Sequence, residues 1–199
     1  MIKNIVFDLG NVLISFKPSE FFDKKNYPEN IKITILSDIF RSREWAILDN
    51  GEINTQEAIN AIALKSSLNK EEITHIFNLR SELIFPIDSN VSLLPELKKR
   101  GYRLFFLSNF PMDLFEEVKT GYYFFKYFDG GTISAEAKSS KPDSVIFEFF
   151  LKKHSLIPDE CLFIDDLEIN VSAGEKFGMK GLVTFGSESI MKEIENALK

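Results

Sequence analysis

The sequence predicts an α/β fold, in which a doubly wound parallel sheet carries a helical insertion after its first strand. Two observations support this prediction. Short, continuous apolar runs recur along the chain, as in strands that are buried on both faces of a sheet. A long segment after the first run instead shows apolar residues at helical spacing.

Four apolar runs are the candidate strands. The first begins almost at the N-terminus, and each later run follows a segment with helical character, as expected for crossover connections. The runs cover residues 5–7, 104–107, 162–164 and 181–184. The predicted crossover helices cover residues 91–100, 142–153 and 171–177. We therefore assign residues 1–14 and 88–199 to one core domain.

Residues 15–87 form the predicted insertion. Asn54 precedes Glu57 by three residues, and Asn69 precedes Glu72 in the same way, which is the pattern of a capping box at a helix N-terminus. Apolar residues at helical spacing follow both pairs. Since no segment of the insertion has the pattern of a strand, we predict an all-helical second domain.

The composition excludes several classes of partner. The chain has 199 residues, of which 44% are hydrophobic, and a formal net charge of −6. An acidic chain without a basic patch is unsuited to nucleic acid or to an anionic membrane surface. Its single cysteine, Cys161, lies in an apolar run, and no run approaches the roughly 18 residues of a membrane span. We expect a soluble, cytoplasmic protein that binds neither nucleic acid nor membrane.

Three candidate strands end in polar residues. Asp8 follows the first strand, Ser108 and Asn109 follow the second, and Asp165 and Asp166 follow the third. Ligands of open parallel sheets bind outside the carboxyl ends of the strands, so these groups should share one crevice. Each group taken alone also fits an ordinary loop start. Two adjacent acids beside a buried strand, however, repel each other and attract a cation.

Lys141 is a candidate anion ligand. It precedes Pro142, a favoured first residue of a helix. A lysine there faces the positive end of the helix dipole, so its removal should change stability little. The lysine and the helix end would together bind an anion, and a solvated lysine is the alternative. Carboxylates for a metal, with a lysine and a hydroxyl for an anion, indicate phosphate chemistry.

Four segments, "FDLGNVL", "LFFLSN", "KPD" and "FIDDLEIN", resemble in order and spacing the motifs of the haloacid dehalogenase-like hydrolases. The resemblance extends over essentially the whole chain, and the insertion looks like the small helical cap of one subclass. Within that subclass, the chain is most similar to sugar-phosphate phosphatases with an FDLGNV motif. The resemblance implies a Rossmann-like core and a phosphatase that acts on a small phosphorylated metabolite.

The resemblance also implies a magnesium-dependent mechanism. Asp8 matches the nucleophile that forms an aspartyl-phosphate, and its second carboxylate oxygen matches a ligand of Mg²⁺. The backbone carbonyl of Gly10 and the carboxylate of Asp166 match two further metal ligands. Because Mg²⁺ prefers oxygen ligands and retains several waters, this set is sufficient.

Other matching positions would bind the phosphate. Ser108 and the backbone amide of Asn109 match phosphate-binding groups. Lys141 matches the catalytic cation that contacts both the nucleophile and the phosphate. Asp165 and Asn170 match positions that orient the metal ligands and the lysine.

Gly10 departs from the pattern of most such phosphatases. They have an aspartate two residues after the nucleophile, and this aspartate protonates the leaving oxygen. Here no acid follows Asp8 within "DLGNVLISF". General acid catalysis typically contributes about 10²–10⁴-fold. We therefore expect a slower enzyme that prefers esters with good leaving groups, such as sugar 1-phosphates.

Substrate specificity and two other functions remain open. The leaving group should meet the cap at residues 41–53, where Trp45 either stacks on a sugar ring or fills the cap core. A metal-free 2-haloacid dehalogenase would also use Asp8 but would not need two adjacent acids. A non-catalytic binding or regulatory protein would fit the loss of the acid at Gly10. We expect a monomer or a weak homodimer, since twenty Phe provide enough core volume for the chain to fold alone.

Overall fold

The computed structural model of the protein describes residues 1–184 and 190–198. Over these residues the strands are β1 (Asn4–Phe7), β2 (Ile14–Phe16), β3 (Ile84–Pro86), β4 (Arg103–Ser108), β5 (Gly130–Ile133), β6 (Cys161–Asp165) and β7 (Lys180–Val183). Five of these strands form a parallel sheet in the order β5-β4-β1-β6-β7. The predicted doubly wound α/β fold is confirmed, and β1 lies at the centre of the sheet.

Helices cover both faces of this sheet. The α-helices are α1 (Pro18–Lys24), α2 (Glu29–Ile35), α3 (Arg43–Asp49), α4 (Thr55–Ala63), α5 (Lys70–Asn78), α6 (Asp88–Val91), α7 (Leu94–Lys99), α8 (Met112–Gly121), α9 (Ser134–Ala137), α10 (Ser144–His154), α11 (Glu168–Lys176) and α12 (Met191–Ala197). Ile5 and Phe7 pack against α7, α8 and α12, while Val6 packs against α10 and α11 on the opposite face. In the described ranges, no helix is both long enough and apolar enough to cross a bilayer.

The segment after β1 has a hydrophobic core of its own. Helices α1 to α5 enclose a cluster of buried aromatic and aliphatic side chains. Both predicted capping boxes are present, with Asn54 and Glu57 at the start of α4 and Asn69 and Glu72 at the start of α5. Local capping and an apolar stripe therefore place these helices as expected.

The insertion is not all-helical, which corrects the prediction. β2 and β3 pair antiparallel, with Ser15 opposite Phe85. Each strand has three residues and the second ends in Pro86, so neither is long enough to show the alternation that marks a strand. The domain boundaries at 15–87 and 88–199 stay predictions, and the second range includes residues 185–189 and 199, which lie outside the described residues.

Two further differences from the predicted elements concern β5 and α10. β5 contains Gly130 and Gly131, and glycine is unfavourable in strands, so this strand was absent from the prediction. The helix predicted to begin at residue 142 begins at Ser144, because Asp143 is its N-cap. Lys141 therefore precedes the N-cap residue Asp143 and does not lie in the first turn of the helix.

Candidate active site

Asp8 directly follows the central strand. Its backbone N–H donates to the Ile164 carbonyl of β6 (2.8 Å), which holds it at the middle of the sheet edge. The residue is only 7% exposed. Burial raises the pKa of Asp8 to about 6; the charge of Asp165 adds to this effect and that of Lys141 opposes it. The fold therefore holds a carboxyl group where an uncompensated charge is unfavourable.

Lys141 is the buried cation beside Asp8. Its Nζ lies 2.9 Å from Oδ1 of Asp8 and 2.6 Å from Oδ2 of Asp165, and it donates to the Leu107 carbonyl (2.7 Å). The side chain is 1% exposed, so the alternative of a solvated lysine is wrong. Burial alone would lower the pKa of Lys141, but the charges of Asp8 and Asp165 raise it above its usual value. The lysine remains charged and links two strand ends.

Asp165 is fully buried and fully occupied by hydrogen bonds. Besides Lys141, it accepts from the Asn170 side chain (3.0 Å and 3.2 Å) and from the Leu167 backbone (2.9 Å). These contacts fix the position of Lys141 relative to the strand ends. Asp165 and Asn170 thus lie where the resemblance predicts positioning residues.

Asp166 and Asp8 offer the carboxylate oxygens that suit a metal ion. Ligand oxygens of Asp8, Asp165 and Asp166 lie within 4.8 Å of one another. Both oxygens of Asp165 are engaged in hydrogen bonds. Lys141 contacts Oδ1 of Asp8 and leaves Oδ2, which lies on the side of Gly10: a Cβ atom built at Gly10 would have Oδ2 as its nearest neighbour. Hard oxygen ligands at this spacing fit Mg²⁺, whose charge would compensate a cluster of acids.

Asn11 positions Asp166, and the sequence analysis did not assign it a role. It adopts a left-handed conformation (φ 52°), which asparagine tolerates better than most residues. Its side chain donates to Oδ2 of Asp166 (3.2 Å) and accepts from the Phe16 backbone (3.2 Å). The signal was present, because an asparagine that follows glycine after a strand marks a tight turn.

Ser108 and Asn109 lie at the end of β4, next to Asp8. Ser108 is buried, and its hydroxyl group lowers the pKa of Asp8. The Asn109 side chain accepts from the Lys141 backbone N–H (2.8 Å) and donates to the Lys141 carbonyl (3.0 Å). This reciprocal pair ties the Lys141 segment to β4. All eight predicted site residues are brought together: seven lie at the ends of β1, β4 and β6 or in the segments that follow them, and Lys141 lies between α9 and α10.

A cavity of about 280 Å³ opens above these residues. Its polar end contains Asp8, Ser108, Lys141 and Asp166. Its remaining wall is largely apolar, and comes from Ile14, Phe16, Trp45, Ile84, Phe110, Pro111, Leu114 and Leu167. The volume is near the lower limit of small-molecule sites, which are typically about 300–1,000 Å³. The cavity therefore suits a small ligand with one anionic end.

Within the predicted specificity segment, Trp45 faces this cavity and the cap core at once. It is 9% exposed and its ring lies 4.8 Å from that of Phe40 and 6.2 Å from that of Phe16. Asp49 of the same segment also lines the cavity, and the sequence analysis missed it. No local pattern marks this acid, because only the docking of α3 onto the sheet edge brings it to the site.

Gly10 is not required by backbone conformation. A Cβ atom built there would lie 3.8 Å from Oδ2 of Asp8, which is an ordinary contact, and the residue does not have a positive φ. An aspartate would therefore fit at this position. The missing acid is a chemical property of this chain and does not follow from its fold.

The family model of the haloacid dehalogenase-like hydrolases matches residues 2–178. The chain belongs to this family, and it is a hydrolase. It is 28% identical to a sesquiterpene phosphatase of Aspergillus oryzae over 90% of this chain and 88% of that protein. It is 27% identical to a D-ribitol-5-phosphate phosphatase of Bacteroides thetaiotaomicron over 90% of each protein.

Solved structures share the same fold. A haloacid dehalogenase family enzyme of Bacteroides thetaiotaomicron, in complex with magnesium and inorganic phosphate, aligns with a TM-score of 0.74. The alignment covers 94% of this chain and 97% of that chain, at 24% identity. This likeness extends through both the sheet and the cap and concerns the fold alone.

Proposed function

We propose that the protein is a magnesium-dependent phosphatase that hydrolyses a small phosphate monoester through an aspartyl-phosphate on Asp8. One observation carries the proposal. The nucleophile candidate is buried at the central strand end, with the Lys141 ammonium 2.9 Å away and the carboxylate of Asp166 in the same cluster. A carboxylate is a competent nucleophile once it is held in line with the phosphorus and its repulsion of an anionic substrate is relieved.

In this proposal Asp8, the Gly10 carbonyl and Asp166 hold the Mg²⁺ ion. The bound ion would neutralise charge on the transferred phosphoryl group. The Lys141 ammonium, beside Asp8, would stabilise the same charge. The Ser108 hydroxyl and the Asn109 backbone N–H would bind phosphate oxygens, and both lie at the polar end of the cavity.

The acidic cluster favours phosphate hydrolysis over haloacid dehalogenation. A dehalogenase that uses Asp8 alone has no need for the carboxylate of Asp166 beside it. The complete set of Asp8, Ser108, Lys141 and Asp166 around one cavity also favours catalysis over a purely binding role.

The alcohol part of the substrate is a separate question. The sequence favours a sugar phosphate, and one relative is named for a phosphorylated sugar alcohol. The mainly apolar wall of the cavity offers few partners for sugar hydroxyls, however, and favours an alcohol with an apolar body; another relative is named for sesquiterpenes. Initial rates on a panel of sugar 1-phosphates, polyol phosphates and prenyl monophosphates would separate these two classes.

Metal dependence and two substitutions test the proposed reaction. We expect hydrolysis of 4-nitrophenyl phosphate to require Mg²⁺ and to be lost in Asp8→Asn, because the amide is not a nucleophile. Asp166→Asn should raise the Mg²⁺ concentration needed for half-maximal activity before it weakens phosphate inhibition. Full activity in excess chelator, or in Asp8→Asn, would exclude the proposed mechanism.

A further inference from the structure

A second carboxyl group faces the active-site cavity from the cap. Asp49 is the last residue of α3 and lines the cavity together with Asp8. Its Oδ1 is buried and has no hydrogen-bond partner among the described residues. The Trp45 side chain, one turn earlier on the helix, lowers the pKa of this carboxyl group. The Ser134 hydroxyl donates to the Asp49 carbonyl (2.5 Å) and anchors this end of the helix to the core.

Asp49 has no counter-ion of its own within the described part of the chain. Among the described residues, Arg80 is the cation that lowers the pKa of Asp49, but its Nη2 pairs with Asp113 (2.9 Å) and its Nη1 has no hydrogen-bond partner. Lys138 donates to the Gly51 carbonyl instead. The charged groups that share the cavity with Asp49 are Asp8, Lys141 and Asp166. Burial raises the pKa of Asp49 to about 7, and Arg80 only partly opposes this effect.

The Asp49 carboxyl group could replace the proton donor that is missing at Gly10. Cleavage of an alkyl phosphate requires a proton for the departing oxygen, and the residue two positions after the nucleophile cannot supply it. We propose that Asp49 is the general acid and base of the reaction, acting from the cap side of the cavity. The inference rests on the proposed phosphatase function.

The proton balance of this step is complete. Asp8 attacks phosphorus, the bond from phosphorus to the ester oxygen breaks, and that oxygen takes the proton of the Asp49 carboxyl group. The products are the alcohol, the aspartyl-phosphate and the Asp49 carboxylate. This carboxylate then accepts a proton from a water molecule as the water attacks phosphorus. Phosphate leaves, and both aspartates return to their first state.

A purely structural role does not explain Asp49. An unpaired carboxyl oxygen in a buried position contributes no stabilisation and is unfavourable to folding. Acids that are kept buried, unpaired and facing a ligand cavity are typical of proton donors. We therefore expect Asp49→Asn, which replaces the carboxyl group by a neutral amide of nearly the same shape, to unfold at a temperature no lower than the unmodified protein.

The test compares two esters of similar size, 4-nitrophenyl phosphate and 2-phenylethyl phosphate. Only the second has a leaving oxygen too basic to depart without a proton. Alcohol release in the first turnover, measured by rapid quench in saturating Mg²⁺, isolates the step. In Asp49→Asn we expect the ratio of the alkyl rate to the aryl rate to fall by about 10²–10⁴-fold. In the unmodified protein, the alkyl rate should fall as pH rises through about 7, and this fall should be absent in the variant.

Two further variants complete the design. Glu71→Gln removes an exposed carboxylate on α5, outside the 41–53 segment, and should leave the ratio and the pH profile unchanged. Asp49→Asn combined with Gly10→Asp, whose side chain has room beside Asp8, should recover part of the alkyl rate. An unchanged ratio, or an equal loss on both esters, would overturn the role of Asp49. If Asp8→Asn lost both activities and Asp49→Asn left the ratio unchanged, the proposed phosphatase function would stand. Only the role of Asp49 would then be rejected.

Discussion

At the scale of single residues, Lys141 shows how burial changes the expected effect of a substitution. A lysine at a helix start would be replaced with little loss of stability. Instead, its side chain is 1% exposed and lies between Asp8 and Asp165. Removal of one member of a buried charged group leaves its partners uncompensated, which typically destabilises a protein by about 3–5 kcal/mol. The earlier expectation of a small effect is therefore corrected.

We expect Lys141→Met to lower the free energy of unfolding by about 3–5 kcal/mol at pH 8, measured by urea denaturation in chelator. Without the cation, the pKa of Asp8 rises beyond the value of about 6 that it has beside the lysine. Asp8 then takes up a proton as pH falls, which relieves the repulsion. The loss of stability should therefore be smaller at pH 5 than at pH 8.

Lys152→Met is the matched control for this prediction. Lys152 is an exposed lysine on α10, so its replacement should change the unfolding free energy by less than about 0.5 kcal/mol at either pH. A loss in Lys141→Met that is equally small, or that does not depend on pH, would show that the two carboxylates do not depend on Lys141.

At the scale of elements, the turn after β1 links the nucleophile strand to the metal ligands. Asn11→Gly keeps the left-handed conformation but removes the hydrogen bond to Asp166. Substitution of residues that orient metal ligands typically reduces metal affinity about 10–100-fold. We expect the Mg²⁺ activation midpoint to rise by this factor, as measured by titration of phosphatase activity.

Asn26→Gly provides the comparison for Asn11→Gly. Asn26 has a similar φ of 57° but lies in the cap, after α1. Its replacement has the same effect on backbone freedom and should leave the Mg²⁺ midpoint unchanged. If both variants shifted the midpoint equally, the effect would belong to backbone freedom and not to the contact with Asp166.

Strand β5 depends on a glycine for packing. A Cβ atom at Gly131 would lie 2.3 Å from the Phe106 ring. Overpacking of a core typically destabilises by about 1–3 kcal/mol, and we expect this loss for Gly131→Ala in thermal or urea unfolding. Gly121→Ala is the control, since nothing lies within 4 Å of its Cβ position, and it should be neutral or slightly stabilising.

At the scale of the whole molecule, one backbone contact holds the cap close to the sheet edge. Gly51, just after α3, has a φ of 65°, and a Cβ atom there would lie 2.8 Å from the Ala135 carbonyl oxygen. The Lys138 ammonium donates to the Gly51 carbonyl (2.5 Å) at the same contact. The close approach of these two backbones sets the position of Asp49 above the site.

We expect Gly51→Ala to reduce kcat/KM on 2-phenylethyl phosphate by about 10²-fold, because a displacement of about 1 Å is enough for such a loss. Gly101→Ala has the same type of backbone strain (φ 90°) but has open space around its Cβ position and lies far from the cap in the sequence. It should lose stability without a change in kcat/KM. Equal kinetic losses in the two variants would show that cap position does not limit activity.

The sequence was sufficient for the parts of the site that depend on strand ends. Asp8, Ser108 and Asp165 each follow a continuous apolar run, and a parallel sheet necessarily gathers such ends at one edge. Asp49 was not predictable in this way, because its place depends on how two packed domains dock. Short strands such as β2 and glycine-containing β5 were missed because their pairing depends on tertiary contacts and not on local pattern.

The central place of β1 also sets when activity can first arise during synthesis. Asn4 pairs with Arg103 on one side and with Cys161 on the other, so β1 is made well before the second of its two neighbours. Until β6 and the residue after it are made, Asp8 lacks Asp165 and Asp166, the two other carboxylates of its cluster. A nascent chain that pauses before β6 therefore carries Asp8 without the proposed metal ligand Asp166. We expect phosphatase activity to arise only after β6 has been made.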